Sequence, residues 1–388
     1  MMKVLIIAPS NKGTIALRSM DLYKAFKKRD DIDTRVVFLH KYIDGFDIGD
    51  NEYCDLYTNS PFTKFFKLFK EIWWIRKKKK KINPDITIST LIACTVCNVL
   101  SFTKEFKIGL FRAPYEQNIR SISFFHRLFH PWVFSQLDKL VGVSEEVTNS
   151  IKIHFPQIPA KKFSTIYNTF FVDEIRHKQY ELLDVDEREI FKNPVILYVC
   201  RLNTLKAPQR LIQAFALSNV KGKYCLVFVG ADSENRLEEL TTMACRLGVG
   251  ERVHFLGAKR NPYKYMRNAS FFASSSITEG LPGVLIESLL VGTPVITTNS
   301  SYGVWEVLSC SDSYRKDLDG LFVADNGIIT ANTSDEKQTV NSLVDALNVM
   351  EEYDFRAHPF VFESKIKPDD IVNSYLSLFY NNANTSAD

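Results

Sequence analysis

The sequence predicts an α/β protein of two domains, each a doubly wound, Rossmann-like parallel sheet with helices on both faces. Short apolar runs of strand length alternate with amphipathic segments along the whole chain, which is typical of a parallel sheet buried on both sides. The alternation forms two series of similar size, and the 388 residues exceed the ~100–200 residues of a typical single domain. Because doubly wound sheets bind ligands at the carboxyl ends of their strands, two such domains are expected to face a central cleft.

The first series covers residues 1–170 and defines the expected N-terminal domain. Its apolar runs predict strands at residues 3–8, 34–39, 85–89, 107–111, 139–143 and 164–167. Helical spacing separates them, at residues 15–28, 121–136 and 145–155. Residues 171–193 follow, rich in charged and polar side chains and without a strand pattern, and they are interpreted as a linker.

The second series covers residues 194–365 and defines the expected C-terminal domain. It predicts strands at residues 195–199, 224–229, 252–256, 270–273, 295–298 and 320–323, again separated by helical segments. The final segment, residues 366–388, contains a helix candidate at 368–380 with an apolar stripe. That helix is expected to pack back toward the N-terminal domain.

Composition argues against several classes of protein. The net charge of +4 comes from 49 basic and 45 acidic residues, too balanced to indicate a nucleic-acid partner. The first apolar run ends at Pro9, which is short for the core of a secretion signal. No later run reaches the ~18–20 apolar residues that cross a bilayer. The seven cysteines are scattered among apolar residues, as expected for reduced thiols, so we expect a cytoplasmic location.

Two pairs of residues raise the question of a metal site. Cys94 and Cys97 form a C-x-x-C motif, but their apolar neighbours favour a packed helix, and no second pair follows at zinc spacing. His126 and His130 are four residues apart, and no nearby acid supplies a third ligand of the usual kind. We therefore expect that no metal is bound.

The segment most informative about function is residues 274–296. A strand ends, a small polar loop follows, and Pro282 opens a helix. The unpaired N–H groups and positive dipole end of such a helix hold an anion without a metal. Gly280 and Gly283 let a ligand approach the backbone. The loop therefore predicts an anion site at the carboxyl edge of the second sheet.

Two acids flank this helix start. Glu279 and Glu287 are eight residues apart, which a mostly helical path converts into roughly 12 Å, the length of a sugar, two phosphates and a ribose. Glu287 would accept hydrogen bonds from ribose hydroxyls, and Glu279 from hydroxyls of the sugar. A helix that merely carries two exposed acids is the alternative, but it does not explain the glycines and the proline. The common dinucleotide, phosphate-loop and hydrolase motifs are not intact in the sequence.

This segment resembles the E-x7-E motif of family 4 glycosyltransferases of the GT-B fold, here Glu279 to Glu287 followed by Gly-Thr-Pro-Val at 292–295. Val-Cys-Arg-Leu at 199–202, together with Lys206, resembles the family's G-R-L-x-x-x-K-G. Further family landmarks fall at residues 143–144, 166–168, 255–257, 306–308 and 319–323. The resemblance covers nearly the whole chain and is strongest from 195 to 323.

The resemblance implies a retaining enzyme that moves a hexose or N-acetylhexosamine from a nucleotide diphosphate sugar, with UDP the commonest nucleotide, without a metal or other cofactor. Its acceptor would be a glycan or polyprenyl-linked glycan in cell-surface polysaccharide synthesis, such as lipopolysaccharide or capsule, bound by the N-terminal domain. Arg201 and Lys206 would bind the diphosphate. Together with Glu279 they form the expected set of catalytic residues. The other expected donor-binding residues are Gly13, Gly257, Gly280, Leu281, Pro282 and Glu287.

Four positions depart from the family pattern. Cys200, Ala207 and Thr169 stand where the family has glycine. Arg112 stands where many members have a histidine at the sugar site, and it is assigned to the acceptor side.

A second conspicuous feature is the basic, aromatic segment Phe62 to Lys81, an amphipathic helix candidate. Such a helix can lie in the headgroup region of an anionic membrane, which would make the protein peripheral on the inner face of the cytoplasmic membrane. The alternative is that its apolar face packs on the first sheet and its lysines are a solvated helix end.

Two other functions fit the expected fold. A nucleotide-sugar epimerase or hydrolase would need an acid–base pair in the cleft and would release nucleotide from the donor alone. A noncatalytic sugar-nucleotide-binding module would bind nucleotide without turnover. The set of Arg201, Lys206, Glu279 and Glu287 favours transfer over both.

Overall fold

The computed structural model describes residues 1–42, 45, 52–56, 64–118 and 124–385. The chain divides into two compact units, the first made of residues 1–171 and 365–388 and the second of residues 172–364. Among the described residues, no helix is both long enough and apolar enough to span a bilayer.

The first unit is a parallel sheet covered by helices. Its elements up to residue 171 are β1 (Met2–Ser10), α1 (Gly13–Lys27), β2 (Ile32–Lys41), β3 (Glu52–Leu56), α2 (Lys64–Ile82), β4 (Ile86–Thr90), α3 (Leu91–Leu100), β5 (Phe106–Phe111), α4 (Tyr115–Asn118), α5 (Phe124–Ser135), β6 (Lys139–Gly142), α6 (Glu145–His154) and β7 (Phe163–Thr165). The strand order is β3-β2-β1-β4-β5-β6-β7. Every predicted strand is present, and β3 is an addition. This edge strand contains two acidic residues, Glu52 and Asp55, so it lacks the continuous apolar run of the inner strands.

The second unit repeats this architecture. Its elements are α7 (Val172–Lys178), α8 (Val185–Ile190), β8 (Val195–Val199), α9 (Pro208–Leu217), β9 (Cys225–Val229), α10 (Leu237–Arg246), β10 (Val253–Phe255), α11 (Tyr263–Asn268), β11 (Phe271–Ser274), α12 (Gly283–Leu290), β12 (Val295–Thr298), α13 (Tyr302–Val307), β13 (Leu321–Ala324), β14 (Gly327–Thr330) and α14 (Glu336–Val349). The order is β10-β9-β8-β11-β12-β14-β13.

One edge of the second sheet differs from the prediction of purely parallel strands. The predicted series ends at residues 320–323, but the chain turns back after β13, and β14 inserts between β12 and β13. Only Asp325 and Asn326 join the two strands, and they pair antiparallel. A two-residue connection permits only this geometry, because a parallel neighbour needs a crossover of a dozen or more residues.

The segment interpreted as a linker, residues 171–193, is largely helical and lies in the second unit from residue 172 onward. In α7, Val172 and Ile175 are buried. At the start of α8, Asp184 and Glu187 form a capping box. The charged composition therefore reflects helix caps and solvated faces rather than an extended linker.

The last helix, α15 (Pro368–Thr385), lies in the first unit. It packs against α1, where the ring of Tyr375 lies 6.0 Å from that of Phe26. Contacts such as these assign residues 365–388 to the first unit.

The basic segment forms α2, and one face of this helix is buried on the first sheet. Ile75 and Ile82 pack with Leu5, Val37 and the other members of the core cluster. Phe62 and Thr63, the first residues of the predicted helix, lie outside the described residues. The packing expected under the alternative interpretation is thus present on one face of α2.

The C-x-x-C pair lies in α3, and both thiols are fully buried. Burial raises the pKa of the Cys97 thiol well above its usual value, which makes it a poor metal ligand or nucleophile. Within the described ranges there is no group of three His, Cys, Asp or Glu side chains that could hold a metal ion. His126 and His130 lie in α5; His130 is buried, and its Nδ1 is 2.8 Å from the hydroxyl of Tyr115.

Candidate active site

Two loops of the second unit meet where the strand order of its sheet reverses. β8 and β11 are hydrogen-bonded neighbours, with Ile196 opposite Phe271. The loop from β8 to α9 and the loop from β11 to α12 both leave the carboxyl edge of these strands. Since helices leave such neighbouring strands in opposite directions, a crevice forms between their loops.

Lys206 and Glu279 form an ion pair across these two loops. The hydroxyl of Ser276 donates to the same carboxylate oxygen over 2.8 Å. The side chains of Lys206 and Glu279 are 22% and 15% exposed, so water screens this pair less than it screens an ion pair at the open surface. The crevice therefore contains a positioned cation and a positioned carboxylate.

Tyr198 is hydrogen-bonded to both loops. Its side chain is buried in β8, and its hydroxyl donates to the carbonyl oxygen of Lys206 over 3.0 Å. The same hydroxyl lies 2.9 Å from the hydroxyl of Ser276. Burial raises the pKa of Tyr198 well above its usual value, so the phenol remains protonated and can donate.

Backbone bonds fix the loop that carries Glu279. The amide of Ile277 donates to the carbonyl of Leu205 over 2.8 Å, and the amide of Glu279 donates to the carbonyl of Ser300 over 3.2 Å. The side-chain amide of Asn332 donates to the carbonyl of Ile277 over 2.8 Å. These bonds hold the carboxylate in one position before any ligand binds.

α12 begins directly after this loop. Pro282 occupies the cap position before Gly283, and the N–H groups of a first helical turn have no partner in a preceding turn. The amides of Gly280 and Leu281 precede this turn on the same loop. The positive end of the helix thus lies on the same loop as Glu279.

Gly303 of α13 sets the position of this loop. A methyl group at Gly303 would lie 2.3 Å from the carbonyl oxygen of Gly280, so the two backbones approach each other only because Gly303 has no side chain. We expect Gly303→Ala to displace the loop and to lower kcat/KM for the donor roughly 10- to 100-fold, as small misplacements of catalytic groups do.

The control for this prediction is Gly222→Ala. No atom lies within 4 Å of a methyl group added there, and we expect unchanged kinetics. Both variants are compared with the parent by steady-state kinetics and circular dichroism. A folded Gly303→Ala enzyme with the parent's kcat/KM would show that the loop position is not critical.

The remaining predicted donor-site residues of the second unit take different positions. Arg201 is exposed in the same loop as Lys206. Gly257 follows β10 with a φ of +71° and accepts a hydrogen bond from the amide of Gly230 over 2.9 Å. Glu287 lies within α12 and is only 5% exposed. The path from Glu279 to Glu287 is helical only from Gly283 onward, so the spacing estimated for a mostly helical path does not apply.

Ala207 is held in a strained conformation. Its φ of 45° and ψ of 50° are left-handed, a geometry that costs a non-glycine residue about 1–2 kcal/mol. The position at which the family pattern has glycine is therefore left-handed in this chain, immediately after Lys206.

Gly13 and Arg112 lie in the first unit. Gly13 begins α1 with a φ of +86° and open space around its Cα. Arg112 follows β5 and donates to the side-chain oxygen of Asn168. Burial lowers the pKa of Arg112 to about 10, so it remains charged at neutral pH. Its buried Nε has no hydrogen-bond partner within the described part of the chain.

Three residues of the site are not predicted by the sequence patterns: Tyr198, Ser276 and Asn332. The signal for Tyr198 is a hydroxyl-bearing residue inside an otherwise aliphatic strand, Val-Ile-Leu-Tyr-Val. A buried hydroxyl needs a partner, but the sequence does not indicate which one.

Solved structures similar to this chain define its fold. The lipopolysaccharide outer core galactosyltransferase WaaB aligns with a TM-score of 0.69 and 16% identity over 98% of this chain and 100% of its own. Anabaena HepE, solved with UDP and glucose, aligns with a TM-score of 0.69 and 16% identity over the whole of both chains. The predicted GT-B fold is confirmed.

Sequence relatives define the class of enzyme. The family model for glycosyl transferases group 1 matches residues 183–343. An uncharacterized glycosyltransferase of Methanocaldococcus jannaschii is 26% identical over 287 residues, which are 70% of each chain. The chain is a glycosyltransferase. The N-acetylgalactosamine-N,N'-diacetylbacillosaminyl-diphospho-undecaprenol 4-alpha-N-acetylgalactosaminyltransferase of Campylobacter jejuni is 35% identical over 150 residues, 39% of this glycosyltransferase and 38% of that protein.

The family match covers the crevice of the glycosyltransferase. Residues 183–343 include Arg201, Lys206, Glu279 and Glu287, as well as Tyr198 below the two loops. The predicted class of enzyme is confirmed, and the roles assigned to individual residues remain predictions.

Proposed function

We propose that this glycosyltransferase is a retaining enzyme of family 4 that moves a hexose or N-acetylhexosamine from a UDP-sugar to a glycan acceptor in cell-surface polysaccharide synthesis. The observation that carries the proposal is the Lys206–Glu279 ion pair in the crevice between β8 and β11. The likeness to HepE, which was solved with UDP and glucose, supports a uridine nucleotide.

The charges of the crevice suit a leaving diphosphate. Lys206 and the exposed Arg201 supply cations in one loop, and the start of α12 supplies N–H donors in the other. As the sugar departs, negative charge grows on the β-phosphate, and groups held in place stabilise it more strongly than the ground state. Because the chain supplies these charges, we expect transfer to proceed without a metal ion.

The proposed step is a front-face displacement. The bond between the anomeric carbon and the β-phosphate oxygen breaks, and its electron pair leaves with the nucleoside diphosphate. The acceptor oxygen forms the new bond on the same face, and its proton passes to the departing phosphate. Glu279 would orient the sugar hydroxyls and Glu287 the ribose hydroxyls, while Gly280 and Gly283, which have no side chain, allow close approach of the ligand to the backbone.

A glycan carried on a polyprenyl diphosphate is the proposed acceptor. The Campylobacter relative is named for a diphospho-undecaprenol-linked saccharide, which supports an acceptor of this class. Arg112 in the first unit would contact the acceptor, since its charge is buried and one of its N–H donors is unused. The enzyme would then work on the inner face of the cytoplasmic membrane, with α2 contacting anionic lipid.

A screen of nucleotide sugars tests this proposal. We expect the parent enzyme to hydrolyse one UDP-sugar slowly in the presence of EDTA, with the anomeric configuration retained in the released sugar. Glu279→Ala and Lys206→Ala should both be far slower, because each removes one member of the ion pair.

Three outcomes would contradict it. Rapid release of nucleotide without stimulation by any glycan acceptor would indicate a hydrolase or an epimerase. Tight nucleotide binding without turnover of any donor would indicate a binding module. If both variants turn over as fast as the parent, the site assignment is wrong.

A further inference from the structure

The helices on one face of the first sheet carry large apolar side chains on their outer side. The connections from β3 to β4, from β4 to β5 and from β5 to β6 all run in one direction along the sheet, so right-handed crossovers place α2, α3 and α5 on the same face. α3 packs against α2 on one side and against α5 on the other. The three helices therefore form one continuous layer.

The exposed residues of this layer are mostly aromatic or aliphatic. On α2, Phe69 and Trp73 are 61% and 63% exposed, and on α5, Phe129 is 65% exposed. Leu128 and Trp132 lie beside Phe129 on the same outer side of α5 and are also exposed. The apolar side chains therefore extend over at least two of the three helices rather than over α2 alone.

α3 lies between the exposed aromatic residues of α2 and those of α5. Its outward positions are Ala93, which is exposed, and Val96 and Leu100, which are partly exposed. Phe102, directly after α3, is 65% exposed and has a φ of 49°, a conformation that strains any residue with a side chain. Monomeric proteins rarely expose contiguous apolar patches of this kind without a binding role.

The exposed charges of α2, α3 and α5 have one sign. The sequences of α2, α3 and α5 contain a single acidic residue, Glu71, and its side chain is buried. Lys77, Lys80 and Lys81 are exposed on α2, and the ammonium of Lys77 lies 5.5 Å from the ring centre of Trp73. Aromatic side chains beside exposed cations are typical of surfaces that lie in the headgroup region of a membrane.

We propose that the outer side of α2, α3 and α5, here called the three-helix face, docks on an anionic phospholipid bilayer. The exposed aromatic side chains of this face can enter the interfacial region of a bilayer, and its cations match anionic headgroups. This inference deepens the proposed membrane contact of α2. It adds α5 to the surface that contacts the bilayer and thereby specifies which side of the first unit faces the lipid.

The test measures partition onto phosphatidylcholine vesicles with and without phosphatidylglycerol. We expect the parent to bind the anionic vesicles. The double variant Phe129→Gln, Trp132→Gln should lose roughly tenfold or more in partition coefficient, because two large side chains no longer enter the interface. Leu217→Gln is the matched control, since Leu217 is 62% exposed but lies in the second unit, and it should bind as the parent does.

A second readout does not depend on changing α5. The chain has four tryptophans, and in the variant Trp73→Phe, Trp74→Phe only Trp132 and the fully buried Trp305 remain. Brominated phospholipid should quench the fluorescence of this variant. Absence of quenching, or an α5 variant that binds like the parent, would overturn the inference. So would a parent that dimerises without lipid through this face, with the α5 variant monomeric.

Vesicle binding is measured without nucleotide sugar. Absence of vesicle binding would therefore not contradict the proposed transfer reaction. Absence of donor turnover would not contradict membrane docking of the three-helix face.

Discussion

Replacing Lys206 by alanine should lower kcat for donor turnover by about 10²–10³-fold, the usual cost of removing one preplaced group that stabilises developing negative charge. Lys206 lies at the carboxyl edge of β8, within an ion pair to Glu279 and above the hydroxyl of Tyr198. Its ammonium is thus positioned before the donor binds, and alanine leaves the β-phosphate without that charge. The measurement is steady-state hydrolysis of the preferred nucleotide sugar.

The matched control is Lys223→Ala. Lys223 lies in the same unit just before β9, pairs with Glu351, and has a side chain 57% exposed, so kcat should not change. Circular dichroism should show that both variants fold. If a folded Lys206→Ala enzyme retains the kcat of the parent, Lys206 does not stabilise the leaving group.

Replacing Lys79 by alanine should lower the free energy of unfolding by about 3 kcal/mol, because it removes the nearer counter-ion of a buried carboxylate and leaves the more distant Lys107, whose ammonium is 3.7 Å from the same oxygen. The Lys79 side chain is fully buried in the first unit and pairs with Glu105 over 2.6 Å. It also donates to the carbonyl of Asn98 over 2.8 Å and to the hydroxyl of Ser101 over 2.7 Å.

Both members of this pair are charged at neutral pH. Burial lowers the pKa of Lys79 only to about 8. Burial alone would raise the pKa of Glu105, but the charge and hydrogen bond of Lys79, together with the hydrogen bond of Thr103 and the charge of Lys107, lower it. Urea denaturation followed by circular dichroism measures the loss.

The neighbouring Lys80 provides the control. It is exposed on the same helix, and Lys80→Ala should change the free energy of unfolding by no more than about 0.5 kcal/mol. The double variant Lys79→Met, Glu105→Gln should recover part of the loss, since position 105 is then uncharged and Lys107 still donates to the carbonyls of Thr103 and residue 105. Equal unfolding midpoints for Lys79→Ala and Lys80→Ala would contradict a buried ion pair.

Lys79 lies where the charge pattern of the sequence predicts a surface residue. Both interpretations of residues 77–81, a membrane-binding helix and a solvated helix end, place these lysines at the surface. In the structure Glu71, Ile75, Lys79 and Ile82 are buried on one face of α2. Their spacing of three and four residues is helical, so the periodicity marks position 79 as inward. Hydrophobicity alone misses it, because a lysine is buried only where specific acceptors surround it.

The sequence by itself determined the two series of strands, the helix start after Pro282 and the set of Arg201, Lys206, Glu279 and Glu287. Each of these features is encoded in a short stretch of chain, as an apolar run, a turn residue or a family motif. A local sequence pattern is therefore enough to identify it. Two strands were not predicted. β3 lacks a continuous apolar run, and β14 is joined to β13 by only two residues, too few to separate the two strands in the sequence pattern.

Only the tertiary structure decided which of these residues meet. Lys206 and Glu279 are 73 residues apart in sequence, and they pair because β8 and β11 are neighbours in the sheet. Tyr198, Ser276 and Asn332 join the site for the same reason, and the apolar residues of α3 and α5 form one face with α2 only through the order of the strands. Strand order depends on the free energy of packing the whole domain, which no single segment of the sequence specifies.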